Sequence, residues 1–428
     1  MVVGRVSDAE IGPGGMKEYV RGLIDRSKNG TMDIKERAAA SLHSLAEQNS
    51  INVGTIKQLN PVPAMVALLT FGSPVAQESA AGALACIMHG NSEEQTAVMD
   101  SGALVPLASI LRSGGGSAQE QAAAAFASLS ELAQSHKTII KAQCVTTLVE
   151  LVAKGSTAAK VNAAQAIANL CTDNIESQGE VQKTGGVKHL LAILGSGKAQ
   201  EHAARALARV AHRNGVVQAE VCKAGGIPIL LAMLSDRNTE AQIQAAAALG
   251  ELAQGEDGLG HRKTQNAISK AGGIGPMLAM VEATPVNHRA VGEAVNALAQ
   301  VARRNRANQD TIAQMGGIRP IVELIGQGVA PDFVQRYAAL AVTEICRRNE
   351  PNQNAVAEIG AISQLVVLLR KSGIPSVDAE VAGALWTMSV NNPAIKVSIA
   401  SASAIEPLCK LLGSSDERAQ SHAGSALA

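Results

Sequence analysis

The stretch Arg303-Arg304-Asn305-Arg306-Ala307-Asn308-Gln309 puts three guanidiniums into four positions. Guanidinium forks recognise phosphate and carboxylate, so the first chemistry to weigh is anion or nucleic-acid binding. The stretch has relatives. Arg347-Arg348-Asn349 lies 44 residues on, and His212-Arg213-Asn214 lies 91 residues back. The asparagine recurs as Asn49, Asn91, Asn174, Asn214, Asn305, Asn349 and Asn392. Asparagine tolerates the left-handed turn that ends a helix and can help start the next one. Cations just before it suit the negative end of a helix dipole. The run therefore reads mainly as a junction between helices. A second reading makes Arg213, Arg303, Arg304, Arg347 and Arg348 a basic edge facing an acidic partner. Arg306 has no basic counterpart at Gly215 or Glu350.

Other chemistry is poorly supplied. The nine histidines are scattered, and none sits in HExxH or at zinc-ligand spacing. Gly195-Ser196-Gly197-Lys198-Ala199 fails as a phosphate loop: alanine follows the lysine, and Ala192 stands where the first glycine is needed. Gly255–Lys263 pairs acids with His261 but has no second ligand cluster. The cysteines Cys86, Cys144, Cys171, Cys222, Cys346 and Cys409 are too sparse for a disulfide framework and form no CxxC. They suit reduced core thiols of a cytoplasmic or nuclear protein. No grouping suggests a nucleophile, so we expect no catalytic residue, no metal and no cofactor. Lysines plus arginines balance aspartates plus glutamates at 37 each. Single-stranded nucleic acid is bound by stacking on aromatics, and this chain has three Phe, two Tyr and one Trp in 428 residues. No lysine or arginine lies between Lys57 and Arg112, which breaks any continuous basic track. No nucleic-acid partner is expected. No stretch has the roughly 18 uninterrupted apolar residues of a membrane helix.

The elements that would position these residues come from a repeat. GGIPILLAML at 225–234 and GGIRPIVELI at 316–325 give it away. Aligned anchors fall at Gly15, Asn60, Gly102, Gln143, Gly185, Gly225, Gly272, Gly316, Gly360 and Ser403. Apolar residues five, eight and nine places later mark one face of a helix. An Ala-rich helix follows, as in AAQAIANL (163–170), AARALARV (203–210) and AAAALGEL (245–252). Its first large apolar position is Leu42, Leu84, Phe126, Ile167, Leu207, Leu249, Leu298, Val342 or Leu385. A shorter helix precedes each anchor, as in NQDTIAQM (308–315), and the anchor glycine permits the bend between the two. Three helices per ~42 residues in tandem make an α-solenoid.

The blocks AGALWTMSVNNPAIKVSIASASAIEPLCKLL (382–412) and NEPNQNAVAEIGAISQLVVLL (349–369) resemble the armadillo repeat. HEAT repeats fit less well, having two helices and no glycine hinge. The resemblance implies an all-α, right-handed superhelix of about ten armadillo repeats over 15–428, the last incomplete. Residues 1–14 form an N-terminal segment or a partial first helix. The step of 47 between the sixth and seventh anchors carries the 255–263 insertion, expected as an exposed loop. An open last repeat suggests a fragment of a longer chain.

The resemblance also implies a groove lined by the Ala-rich helices. In peptide-binding members a column of asparagines there reads a peptide main chain. The matching positions here are Ser44, Cys86, Ser128, Asn169, Arg209, Glu251, Gln300, Glu344 and Thr387. One turn earlier, import receptors place tryptophan; this chain has Ala40, Gly82, Ala124, Gln165, Arg205, Ala247, Asn296, Leu340 and Gly383. Trp386 lies three places later and reads as a packing residue. Polar groups concentrate in repeats 4–8, so the expected partner-binding residues are Asn169, Arg205, Arg209, Glu251, Asn296, Gln300 and Glu344. The expected function is a non-enzymatic scaffold for an extended polypeptide or a helix. A substrate-recognition segment of a U-box-type ubiquitin ligase is the alternative. A nuclear-transport adaptor is disfavoured by the missing tryptophan and asparagine columns. The oligomeric state has no signature in the sequence.

Overall fold

A computed structural model of the chain describes residues 15–195, 197–255, 260–326 and 328–428. The segment 1–14 and the tip of the 255–263 insertion lie outside the described residues. Every element is a helix among the described residues, and the chain is an all-α solenoid. It divides into two compact units, Met1–Val210 and Ala211–Ala428.

The three-helix repeat is clearest in the middle of each unit. In the first unit, Ser92–Asp100 is a short helix, Leu104–Ser113 a middle helix and Gly116–Leu129 a long one. In the second, Arg306–Gln314, Ile318–Glu323 and Asp332–Cys346 follow the same order. Successive long helices pack on each other, as Pro74–Met88 does on Gly116–Leu129 and His288–Ala302 on Asp332–Cys346. Alanine makes this possible: it favours the helix and lets backbones approach closely. Ala122, Ala123, Ala125, Ala294, Ala297 and Ala299 are all fully buried. The nine large apolar positions from Leu42 to Leu385 are buried too, none above 1% exposed.

The hinge is as the spacing predicts. All ten anchors have positive φ, from 48° at Asn60 to 88° at Gly360. Glycine meets this at no cost, and asparagine at little. At Gly225 the short helix Gly215–Lys223 turns into Gly226–Met233 through 83°. Among the described residues no single helix is long and apolar enough to cross a membrane.

The junction asparagines differ from the sequence reading. They are extended, with φ of −124° at Asn214, −121° at Asn305 and −134° at Asn349. The left-handed residue is the one before: Arg213 at 48°, Arg304 at 50° and Arg348 at 52°. The asparagine is the N-cap of the short helix. Its Oδ1 accepts from the backbone N–H three residues on, as Asn214 does from Val217 and Asn349 from Asn352.

A second set of amides ties the repeats together. Gln309 is 1% exposed on the short helix, and its Nε2 donates to the carbonyls of Ala302, Glu344 and Arg347. Two long-helix ends are thereby joined by one side chain. Its Oε1 accepts from Asn349 Nδ2 at 3.1 Å. The arrangement recurs at Gln265, which donates to Ala253, Gln300 and Arg303 and accepts from Asn305. It recurs again at Gln353, which donates to Cys346, Thr387 and Val390 and accepts from Asn392. In the first unit Gln178 donates to Cys171 and Arg209. Helix ends leave carbonyls without intrahelical partners, and a buried one must find a donor.

Two variants check this reading by urea unfolding. Leu249→Ala should cost roughly 2–5 kcal/mol, since the side chain is fully buried. Gln309→Leu keeps the volume but orphans several buried acceptors and one donor, and should cost roughly 2–4 kcal/mol. A loss below about 0.5 kcal/mol would be surface-like and would contradict the assigned burial.

Candidate functional site

The structure engages most of the expected groove residues internally. Asn169 donates from Nδ2 to the Ala127 carbonyl (3.1 Å) and to Ser130 Oγ (3.2 Å). Ser128, one repeat earlier in the same column, donates to the Ala85 carbonyl. These two side chains stitch their long helices to the end of the one before. Glu251 Oε2 lies 2.7 Å from His212 Nδ1. Asn296 accepts from Gln300, and Gln300 itself is only 6% exposed. Glu344 is 3% exposed and sits between Arg347 (2.9 Å) and Arg303 (3.3 Å). Gln300 and Glu344 therefore depart from the expected open polar column. The Glu344 carboxylate is spent on burial, because a buried charge must be paired, whereas Gln300 donates to Asn296 and its Oε1 is buried without a hydrogen-bond partner. Arg205 is exposed and Arg209 half-buried at the end of the first unit.

The larger opening lies elsewhere. A cavity of about 890 Å³ opens on the long helices Met32–Gln48, Pro74–Met88, Gly116–Leu129 and Thr157–Leu170, with the short helix Ser50–Lys57 as a wall. Small residues create it: Gly82, Ala85, Ala124, Ala127 and Ser128. Polar groups ring it: His43, Glu47, Gln121, Asn162 and Gln165. Sequence reasoning passed over these repeats because small residues looked inert. The signal was their clustering in one face of consecutive long helices.

His43 sets the cavity's shape at one end. A Cβ on Gly82 would meet His43 Nε2 at 2.2 Å, so the glycine makes room for the ring. The same device recurs in the second unit, where His422 lies over Gly383 and its ring is 5.9 Å from that of Trp386. Trp386 is half-buried and packs between the last two long helices, as the sequence implies. Burial lowers the His43 pKa below 6.5, outweighing the opposing charges of Glu47 and Glu78. Burial also pushes the Cys86 thiol up to about 11, assisted by the charge of Glu47.

In the second unit the basic edge takes a definite form. Arg262 Nη2 donates to the Arg304 carbonyl (2.6 Å), and Arg306 Nη1 to the Arg348 carbonyl (3.0 Å). Each pair is 42 residues apart. Arg306 thus has a basic counterpart after all. Arg262 is the first residue of its short helix, as Arg306 is of the next, and the insertion before it hid the register. Arg304 and Arg348 are exposed. Arg213 occupies the same left-handed position at the start of this unit. Among the described residues no group of three or more metal-ligating side chains is gathered.

The hinge, the three-helix order and the stacked Ala-rich helices define an α-solenoid of three-helix repeats. A family model described as armadillo/beta-catenin-like repeat matches residues 217–254, the sixth repeat. The similar solved structures include two crystal structures of engineered proteins. One is 29% identical with a TM-score of 0.78, covering 95% of this chain and 98% of its own. The other is 29% identical with a TM-score of 0.50, covering 56% of this chain and 97% of its own. No curated protein matches significantly. The chain is similar to armadillo-type repeat proteins.

Two outcomes test the site's electrostatics and strain. The lowered His43 pKa means the unfolded chain takes up the proton more readily. Stability should therefore be unaffected well above pH 6.5 and fall as pH drops through and below it. The decline in melting temperature between pH 7 and 5 should be smaller in His43→Gln. Arg348→Gly removes a side chain from a left-handed position and should stabilise by roughly 0.5–1 kcal/mol. A melting temperature below the parent's would show that the arginine is structurally needed.

Proposed function

We propose that the chain is a non-enzymatic scaffold that binds an extended polypeptide on the long-helix face of its first four repeats. The cavity of about 890 Å³ carries this reading. Four neighbouring long helices at roughly 9 Å spacing give a floor of about 27 Å. That matches roughly eight residues of extended chain. The floor is small and apolar, and amides at Gln121, Asn162 and Gln165 can donate and accept along a peptide main chain. Shallow contacts over a long surface fit recognition of a chain better than turnover of a small molecule.

This moves the partner from the polar column of repeats 4–8 to the small-residue floor of repeats 1–4. Burial of Gln300 and Glu344 supports the move. The ligase-segment and transport-adaptor alternatives gain no specific support from the described residues. A cytoplasmic or nuclear setting suits the six thiols.

The test uses peptides selected by display on the full chain. Ala124 is half-buried on the cavity floor, and Ala124→Trp would fill it. Affinity by calorimetry should drop at least ~10-fold, the effect of about 1.4 kcal/mol. Undiminished binding, with an unchanged melting temperature, would remove the partner from this face.

A further inference from the structure

Arg262, Arg304, Arg306, Gln309, Arg347 and Arg348 line a depression of about 430 Å³ in the second unit. Two of the arginines have carboxylate partners. Arg306 pairs with Asp310 at 3.0 Å, and Arg347 with Glu344, which Arg303 also contacts. Arg262 bonds only a carbonyl, and Arg304 and Arg348 have no side-chain hydrogen bond or ion pair among the described residues. Three guanidiniums thus face the depression without a counter-charge. Arg262 and Arg306 are tied to the backbone carbonyls of Arg304 and Arg348, which holds the guanidiniums of Arg262 and Arg306 in place.

Two local costs meet at this place. Arg304 and Arg348 hold left-handed backbone, with φ of 50° and 52°. At the other junctions the left-handed residue is Gly90, Asp173, Arg213, Gly260 or Asn391, and all but Arg213 are types that tolerate it. Backbone strain kept against easier choices points to a use for the side chain. The second cost is electrostatic. Arg262 and Arg306 begin their short helices, where the dipole is positive, and neither helix has an acid in its first turn. An anion in the depression would offset both.

We infer that the depression binds a phosphorylated serine or threonine of the polypeptide partner. The inference rests on the reading of a polypeptide ligand and adds a second contact point on the other unit. A phosphomonoester carries about −2 charge and three acceptor oxygens. It matches three unneutralised guanidiniums, whereas a carboxylate offers one charge and two oxygens. Arginine forks bind phosphate through paired N–H groups, which lysine cannot imitate.

The experiment is fluorescence anisotropy on the full chain. The probe is a labelled degenerate peptide library with phosphoserine at its centre, beside the same library with serine or glutamate there. The phosphoserine library should bind at least ~10-fold tighter than either, given charge-assisted bonding. Inorganic phosphate should compete for that increment, and the increment should shrink as salt rises. The paired variant Arg304→Gly and Arg348→Gly should erase the preference for phosphoserine. Glycine suits left-handed backbone, so the fold survives and the loss reports the guanidiniums; a melting curve checks this. Equal affinity for phosphoserine and glutamate would overturn the phosphate assignment. A phosphoserine preference kept in the glycine pair would overturn the location. Neither result touches the cavity of the first unit, which Ala124→Trp tests with the serine library alone.

Discussion

One constraint shapes the molecule: each long helix ends among packed neighbours with carbonyls that its own turns cannot satisfy. The short-helix glutamines answer it. Gln265, Gln309 and Gln353 each donate to carbonyls at two successive long-helix ends, and each accepts from the next junction asparagine. The hydrophobic layer of leucines and alanines is non-directional and would permit sliding. The amides remove that freedom, because a donor set to one carbonyl pair fits one register only. Burial supplies the driving force; the buried polar rungs supply the specification.

The functional surfaces follow from the same rule. Side chains near the ends of long helices are drawn into satisfying carbonyls or into pairing, which is why Asn169, Glu251, Gln300 and Glu344 are engaged within the fold. What remains open lies where side chains are too small to reach a partner, as at Ala124 and Gly82, or too numerous, as in the arginine cluster. The first unit offers a recess and the second a concentrated charge.

Much of the architecture is written locally. The anchor glycines announce positive φ, and the AAxALxxL pattern announces a buried face; Leu84, Ile167 and Leu298 are all buried as their spacing requires. These are properties of a residue and its helix neighbours. The amide rungs are not local. Gln309 meets Glu344 and Asn349 from 35 and 40 residues away, and nothing in NQDTIAQM marks the glutamine as buried. Arg262 escaped notice for a related reason: the insertion before it broke the count that would have aligned it with Arg306. The cavity escaped because alanine and glycine read as filler, when their smallness was the feature. The junction asparagines were placed correctly but given their neighbour's backbone. A cap must be extended to turn its side chain onto the next helix, so the left-handed step falls on the arginine before it.

The seventh repeat opens with His261 instead of asparagine. Gln218, the rung below, donates to Ala211 and Glu251, but its Oε1 is buried without a hydrogen-bond partner. At the next rungs that oxygen is held by Asn305, Asn349 or Asn392. In mechanical terms the second unit is a row of clasps with one only half closed. The register between the sixth and seventh repeats is therefore held by one amide contact fewer than the register of the arginine-bearing repeats beyond it.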